Sequence, residues 1–381
     1  MFRVAIKPEL IRWARERSGK DLRTLKRPFP NLPNWEAGTV QPTLKQLEKF
    51  ATKTYTPIGY LFSSEPPIER IPIPDFRRAV EGRLERPSPN LLDTIYTCQR
   101  RQDWMREYLV QEGVDSLEFV RSVSLKSSPE LTAARMRATL GIEVGWASKL
   151  PTWEDALRLL RTRIEEAGVL VFVNGIVGND THRKLDVNEF RGFAISDPIA
   201  PLIFVNGADA KGAQMFTLAH ELAHIWIGQG GVSGFVDLIP PDTAIEKYCN
   251  RAAAEFLVAA KEMTECWADA SKVDEPFQYL ARRFKVSPLV VARRALDLEL
   301  VSKKDFIAFY NDYQKDERRK KGKSKGGDFY ATQGGRLGKR FALAVFRAAK
   351  AGRLLYRDAY QMTGLKGKTF DRYAQHLGIE M

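Results

Sequence analysis

The sequence predicts an α+β fold that is mostly helical, with one small sheet near the middle of the chain. Helical periodicity recurs along most of the 381 residues. Between residues 169 and 206, three short apolar runs are instead bounded by turn residues, as is typical of strands. The length is sufficient for two or three domains with their own cores.

Composition and charge narrow the class of protein. Hydrophobic residues make up 44% of the chain and charged residues 28%, as in soluble globular proteins. Cys98, Cys249 and Cys266 lack the CxxC spacing, which indicates neither a disulfide framework nor a cysteine metal site. With no signal-peptide or membrane-span pattern, we expect a cytoplasmic protein. The net charge of +13 favours a nucleic acid or an acidic protein as partner, although a merely basic protein is an alternative.

Residues 1–66 are predicted to form a domain of short helices. The first covers residues 6–17, Asp21 caps a second, and Thr43 begins another. Apolar residues of these helices should form a core: Leu10, Ile11, Trp13, Ala14, Leu44, Leu47, Phe50 and Ala51. A proline-rich linker at 67–89 and a helical scaffold at 90–150 follow. One long helix and a following segment are expected between residues 90 and about 122, and a further helix at 129–140.

The central region, residues 151–300, combines helices with the predicted strands. A helix at 152–168 precedes strands at 169–174, 190–195 and 202–206. Further helices are expected from residue 242 or 243 to about 260, and over 277–295 with a break at Pro288. Residues 301–381 comprise a basic connector and a helical C-terminal unit.

The segment FTLAHELAHIW at 216–226 carries the clearest chemical motif. His220 and His224 lie four residues apart on a predicted helix, so that both imidazoles can face one metal ion. Glu221, beside the first histidine, can reach a water molecule at that ion. This HExxH pattern predicts a zinc site, and two core or surface histidines are the alternative.

A catalytic zinc site commonly has a third protein ligand and one open position. No histidine occurs between His224 and His376, so a carboxylate on the next helix is expected. Glu246 is the leading candidate, with Glu255 and Asp242 as rivals. Asn250, one turn after Glu246, could hydrogen-bond a ligating histidine. Alternatively, Glu246 could complete a capping box with Thr243.

Together, FTLAHELAHI and EKYCNRAAAEFL resemble the motifs of the ImmA/IrrE family of zinc metallo-endopeptidases, although Cys249 and Ala252 replace commoner residues. The resemblance implies a zincin-like, gluzincin-type minimal peptidase core. It implies His220, His224 and Glu246 as ligands of one Zn²⁺, and Glu221 as the catalytic base. It further implies a repressor or antitoxin-like protein as substrate, in a stress, phage or mobile-element response.

The order WEAGTVQPT in the N-terminal region resembles the helix-turn-helix domain of Xre/Cro-type repressors, which implies DNA binding and transcription regulation. Three prolines at positions 28, 30 and 33 argue against a long base-reading helix. A packing module without DNA contacts is the alternative. The candidate DNA contacts are Lys20, Arg23, Lys26, Arg27, Asn31 and Asn34.

A peptidase mechanism also requires a place for the substrate and a donor for the oxyanion. The strand containing Phe204, Val205 and Asn206 is predicted to form a substrate-binding edge. Candidate donors are Tyr248, His182 and Arg191, and His182 is alternatively an exposed loop residue. Two other functions remain open: a DNA-binding regulator whose peptidase fold is a sensor or scaffold, and an interaction module with a structural metal.

Overall fold

The computed structural model describes residues 2–75, 86–233, 243–315 and 328–380. The chain divides into two compact units, Met1–Pro72 with Val80–Tyr96, and Ile73–Ala79 with Thr97–Met381. Part of the predicted linker, part of the basic connector and the rival ligand Asp242 lie outside the described residues. None of the described helices has the length and apolarity that a membrane crossing requires.

The first unit contains four short helices: α1 (Pro8–Arg17), α2 (Leu22–Lys26), α3 (Leu32–Glu36) and α4 (Leu44–Lys53), with a 3₁₀ turn at Ile58–Phe62. The predicted starts of α2 and α4 are confirmed, whereas α1 begins at Pro8, two residues after the predicted start. Asp21 accepts a hydrogen bond from Thr24 N, and Thr43 forms a full capping box with Gln46. The predicted core residues are buried except Leu44, which is 48% exposed. That prediction is wrong because Leu44 is the first residue of α4 and precedes the turns that contact the core.

The second unit contains a four-stranded sheet formed by β1 (Leu170–Asn174), β4 (Gly192–Ile195), β5 (Leu202–Asn206) and β6 (Val232–Ser233). The strand order is β1-β5-β4-β6, with β1 parallel to β5 and the other pairs antiparallel. A separate hairpin joins β2 (Ile176–Val177) and β3 (Asp180–Lys184). The sequence predicted β1, β4 and β5; the hairpin and β6 are short or polar and carry no alternating apolar pattern.

The helices of the second unit follow the predicted order closely. Their bounds are α5 (Pro89–Gln111, which begins in the first unit), α6 (Pro129–Leu140), α7 (Trp153–Glu166), α8 (Lys211–Ile227), α9 (Ala244–Leu257), α10 (Ala260–Ala270), α11 (Pro276–Phe284), α12 (Pro288–Asp297), α13 (Lys303–Lys315), α14 (Phe329–Leu337), α15 (Lys339–Lys350), α16 (Tyr356–Thr363) and α17 (Lys368–His376). The predicted break at Pro288 is confirmed, since Pro288 is the first residue of α12 and Ser287 caps it. Helices α10 and α13 are not predicted by the sequence, and α13 extends into the predicted basic connector.

Helix α8 lies at the centre of the second unit. It packs on β4 and β5 and against α7 and α9. Its side chains are buried on nearly every face, as its apolar and small residues require. On β1, Phe172 packs edge-on against Phe341 of α15, with 5.6 Å between ring centroids. The sheet and α9 therefore determine what the polar residues of α8 can reach.

Candidate metal centre

Three polar side chains of α8 lie inside the core. His220, Glu221 and His224 are each fully buried. Helix α8 ends at Ile227 and is capped by Gly228, which adopts a left-handed conformation with φ of 78° and donates its N–H to His224 O. The turn that follows returns Gln229 O to 2.8 Å from His224 Nδ1. This contact orients the His224 ring, so that Nε2 points into the site.

Helix α9 contributes the carboxylate. Thr243 caps α9 by accepting a hydrogen bond from Glu246 N over 3.2 Å. The Glu246 side chain does not complete a capping box with Thr243; it turns toward the two histidines. Glu246 Oε2 lies 3.2 Å from His220 Nε2, and Glu246 Oε1 lies 2.9 Å from His224 Nε2. The capping-box alternative is therefore wrong for the Glu246 side chain, although Thr243 does cap the helix.

The three groups form one compact cluster. The two Nε2 atoms are 3.0 Å apart, and the ligand atoms of His220, His224 and Glu246 all lie within 4.8 Å of one another. Two imidazole nitrogens and one carboxylate oxygen are a donor set typical of transition-metal sites. Both oxygens of the neighbouring Glu221 are buried and accept no hydrogen bond from the described residues. The cluster can hold a metal ion, with Glu221 beside it.

Burial and mutual contact shift the pKa values of these groups in different directions. Burial lowers the pKa of His220, against the opposing effects of Glu246 and a hydrogen bond with Asn250. Burial acts to raise the pKa of Glu246, but contacts with His220 and His224 hold it well below its usual range. Burial and then the charge of Glu246 raise the pKa of Glu221 well above its usual range. Asn250 thus lies beside a histidine of the cluster.

The rival ligand Glu255 has a different partner. Its carboxylate forms a buried ion pair with Arg294 and accepts hydrogen bonds from Ala260 N at 3.2 and 3.4 Å. Glu255 is therefore not part of the candidate metal cluster.

The predicted substrate edge is wrong. Strand β5, which contains Phe204, Val205 and Asn206, is paired with β1 on one side and β4 on the other. Its backbone groups are therefore already hydrogen-bonded within the sheet, and a peptide cannot add to it. Beyond β4 lies β6, where Val232 N donates a hydrogen bond to Pro74 O over 2.8 Å.

Each of the three candidate oxyanion donors has surroundings of its own. The Tyr248 hydroxyl is 2.6 Å from Thr132 Oγ1 in the core. His182 is exposed on β3, so the loop predicted there is in fact a strand. Arg191 lies just before β4, where its Nε is 3.8 Å from Asp209.

Two residues that the sequence reasoning missed lie beside Glu221. A Cβ atom on Gly192 would come within 2.6 Å of Thr217 Cγ2 and 3.1 Å of Glu221 Oε1, so the glycine leaves room for this carboxylate. The Ser233 side chain lies near Glu221 and acts to lower the pKa of that carboxylate, against the larger effect of burial. A glycine within a predicted strand was an available signal for such a close approach, whereas Ser233 carried none.

The candidate DNA contacts lie around the connection between α2 and α3. Five of them, Arg23, Lys26, Arg27, Asn31 and Asn34, are exposed. Lys20 instead donates a hydrogen bond to Lys53 O and lies over the Tyr55 ring, with its Nζ 4.0 Å from the ring centroid. The short length of α3 agrees with the argument from the prolines against a long helix.

Comparison with known families agrees with this geometry. No curated protein matches the chain. Residues 337–376 match a family described as a domain of unknown function. Residues 164–296 match the model of the IrrE N-terminal-like domain, a peptidase family designated M78. This match covers the sheet, α8 and α9; it supports the resemblance to the ImmA/IrrE family and indicates a metallopeptidase of that type.

Proposed function

We propose that the chain is a zinc-dependent endopeptidase that cleaves a specific regulatory protein. The observation that carries the proposal is the buried cluster of His220, His224 and Glu246 with Glu221 beside it. A structural role does not require Glu221, whose burial without a hydrogen bond from the described residues carries a cost in stability. Such a cost is typical of an ionisable side chain that takes part in catalysis.

The donor set supports zinc as the metal. His220 and His224 would supply nitrogen ligands and Glu246 an oxygen ligand, the combination found in catalytic zinc sites with one open position. The hydrogen bond from His224 Nδ1 to Gln229 O leaves Nε2 as the ring nitrogen whose lone pair can bind a metal. When bound, zinc supplies Lewis acidity, which polarises a peptide carbonyl and makes water easier to deprotonate.

Glu221 is the proposed base. A carboxylate oxygen of Glu221 accepts a proton from the attacking water and then delivers it to the amine nitrogen of the leaving peptide. Burial, which raises the pKa of Glu221, makes this carboxylate a stronger proton acceptor than an exposed one. Gly192 and Ser233 position this side chain at the end of the sheet.

The resemblance to the ImmA/IrrE family supports a repressor or antitoxin-like protein as the substrate. The same resemblance supports a stress, phage or mobile-element response as its setting. DNA binding by the first unit is a further part of the proposal, supported by the exposure of Arg23, Lys26 and Arg27 near α2 and α3. These cations would contact phosphates and hold the enzyme near DNA-bound regulators.

The test compares metal content and proteolysis in matched variants. Elemental analysis should find about one zinc per chain in the wild type and in Glu221→Gln, and a large loss in Glu246→Gln. Incubation with a proteome-derived polypeptide library, followed by sequencing of new N-termini, should give cleavage with the wild type and none with Glu221→Gln. Glu262→Gln, a buried glutamate outside the cluster, is the control and should retain both properties.

Identical new termini from the wild type and from Glu221→Gln would contradict the proposed base. Bound metal without any cleavage would instead favour a DNA-binding regulator that uses the peptidase fold as a scaffold. In that case, DNA binding should depend on salt and be lost when Lys26 and Arg27 are changed.

A further inference from the structure

The C-terminal helices α15, α16 and α17 form a small module around an aromatic core. Phe346 of α15 lies 4.5 Å from Phe370 and 5.9 Å from Tyr373 of α17, measured between ring centroids. Tyr360 of α16 meets Phe370 edge-on at 5.0 Å. The module coincides with residues 337–376, the stretch that matches a domain of unknown function. Its chemistry is separate from the candidate metal centre.

A tight turn joins α16 to α17. Gly364 ends α16 in a left-handed conformation with φ of 68°, and Gly367 precedes α17 with φ of 48°. Between them, Leu365 is buried and donates its N–H to Thr363 Oγ1 over 3.2 Å. Two short helices joined by a four-residue turn with glycines, with a buried apolar residue in the turn, are typical of a helix-turn-helix.

The second helix of this pair has one polar face open to solvent. The exposed residues of α17 include Lys368, Thr369, Arg372 and Gln375. At 100° per residue they span one face of about 120°, opposite the buried Phe370, Tyr373 and Ala374. Arginine, lysine, glutamine and threonine are side chains that bind base edges in the major groove of DNA.

The charge of this face suits a polyanion. Lys366, in the turn, is exposed beside Lys368 and Arg372. Within the described part of the chain, neither Lys368 nor Arg372 forms an ion pair. Asp371, the acidic residue of α17, is only half-exposed. The outer face of α17 therefore presents unneutralised positive charge together with base-reading side chains.

We propose that α16 and α17 form a helix-turn-helix that binds double-stranded DNA, with the exposed face of α17 in the major groove. In such motifs the second helix reads base edges while flanking cations contact phosphates. Thr369 and Gln375 would contact bases, and Lys366, Lys368 and Arg372 phosphates or guanine. The site lies outside the first unit and is independent of peptidase activity.

Fluorescence anisotropy of the full-length chain with a labelled mixed-sequence duplex tests the proposal. Lys368→Glu/Arg372→Glu should weaken binding at least about 10-fold and reduce the slope of log affinity against log salt by about two. The matched control Arg135→Glu/Lys261→Glu reverses two exposed cations on α6 and α10 and changes the net charge equally. It should show only the small effect of net charge. Arg23→Glu/Lys26→Glu measures any separate contribution of the first unit.

A variant without a change of charge tests whether α17 contacts base edges. Thr369→Ala/Gln375→Ala leaves the charge unchanged, so it should preserve the salt slope while altering the sequences selected from a random duplex pool. Thermal unfolding should show that both α17 variants remain folded. Equal losses in the α17 charge variant and its control would overturn the proposal, as would unaltered selection by Thr369→Ala/Gln375→Ala. Stronger competition by RNA than by duplex DNA would also overturn it.

Discussion

The ion pair between Glu255 and Arg294 allows a quantitative test of which glutamate is structural and which binds metal. Both side chains are about nine-tenths buried, and a guanidinium nitrogen of Arg294 contacts the Glu255 carboxylate. Arg294 Nε also donates to Val258 O over 3.0 Å. Glu255 in turn accepts from Ala260 N, at the point where α9 gives way to α10. The pair thus holds α12 against the end of α9.

Replacing Glu255 with glutamine removes the negative charge and leaves Arg294 buried without its counterion. Breaking one partner of a buried pair costs about 3–5 kcal/mol. The amide oxygen can still accept the Ala260 hydrogen bond, so we expect the lower value, about 3 kcal/mol. For a unit of about 290 residues, that loss lowers the thermal midpoint by about 5 °C. Metal content should not change, because Glu255 lies outside the ligand cluster.

Thermal unfolding and elemental analysis on the same preparations provide the assay. The control Glu262→Gln changes an equally buried glutamate, but its partner Arg283 is 42% exposed, so we expect a loss below about 1 kcal/mol. Adding Arg294→Met to Glu255→Gln should recover most of the lost stability, because no unpaired charge then remains. Similarly small losses of stability in Glu255→Gln and in Glu262→Gln would refute the reasoning. Loss of metal from Glu255→Gln would place Glu255 among the ligands.

Three further predictions concern the surroundings of the cluster. Gly192→Ala places a Cβ 2.6 Å from Thr217 Cγ2 and 3.1 Å from Glu221 Oε1. Urea unfolding should therefore show a loss of stability of about 1–3 kcal/mol, and the rate of peptide cleavage should fall. A stability unchanged within error would contradict this prediction. Tyr248→Phe removes a buried hydrogen bond to Thr132 and should lower the stability by about 1–2 kcal/mol without changing the cleavage rate. Slower cleavage by a folded variant would instead make Tyr248 an oxyanion donor. Chelation should lower the thermal midpoint of the wild type, with recovery on adding zinc, whereas a variant lacking a ligand should be insensitive to the chelator.

The sequence predicts the local parts of the candidate site well because their geometry depends on spacing along single helices. His220 and His224 meet at one point since residues four apart share a helix face. The role of Glu246 depends on tertiary structure as well. After Thr243, its sequence position suits a capping box as well as a ligand, and only the packing of α9 against α8 turns its carboxylate toward the histidines.

Lateral order in the sheet could not be predicted in the same way. The run 202–206 has the pattern of a strand, but its sequence does not identify the strands beside it. Every residue of β5 is buried, as is typical of a strand covered on both faces, and this continuous apolar run was an available argument against an edge. The positions of Gly192 and Ser233 beside Glu221 follow from the same pairing and so remained hidden.

The origin of the three ligands has a mechanical consequence. His220 and His224 belong to α8 and Glu246 to α9, so one bound ion would join two core helices that are separate along the chain. A disulfide performs this task in many secreted proteins, but all three cysteines of this chain are free. The ion would therefore act as the cross-link at the centre of the second unit. Metal supply in the cell would then control how long the folded protein survives, as well as whether it reacts.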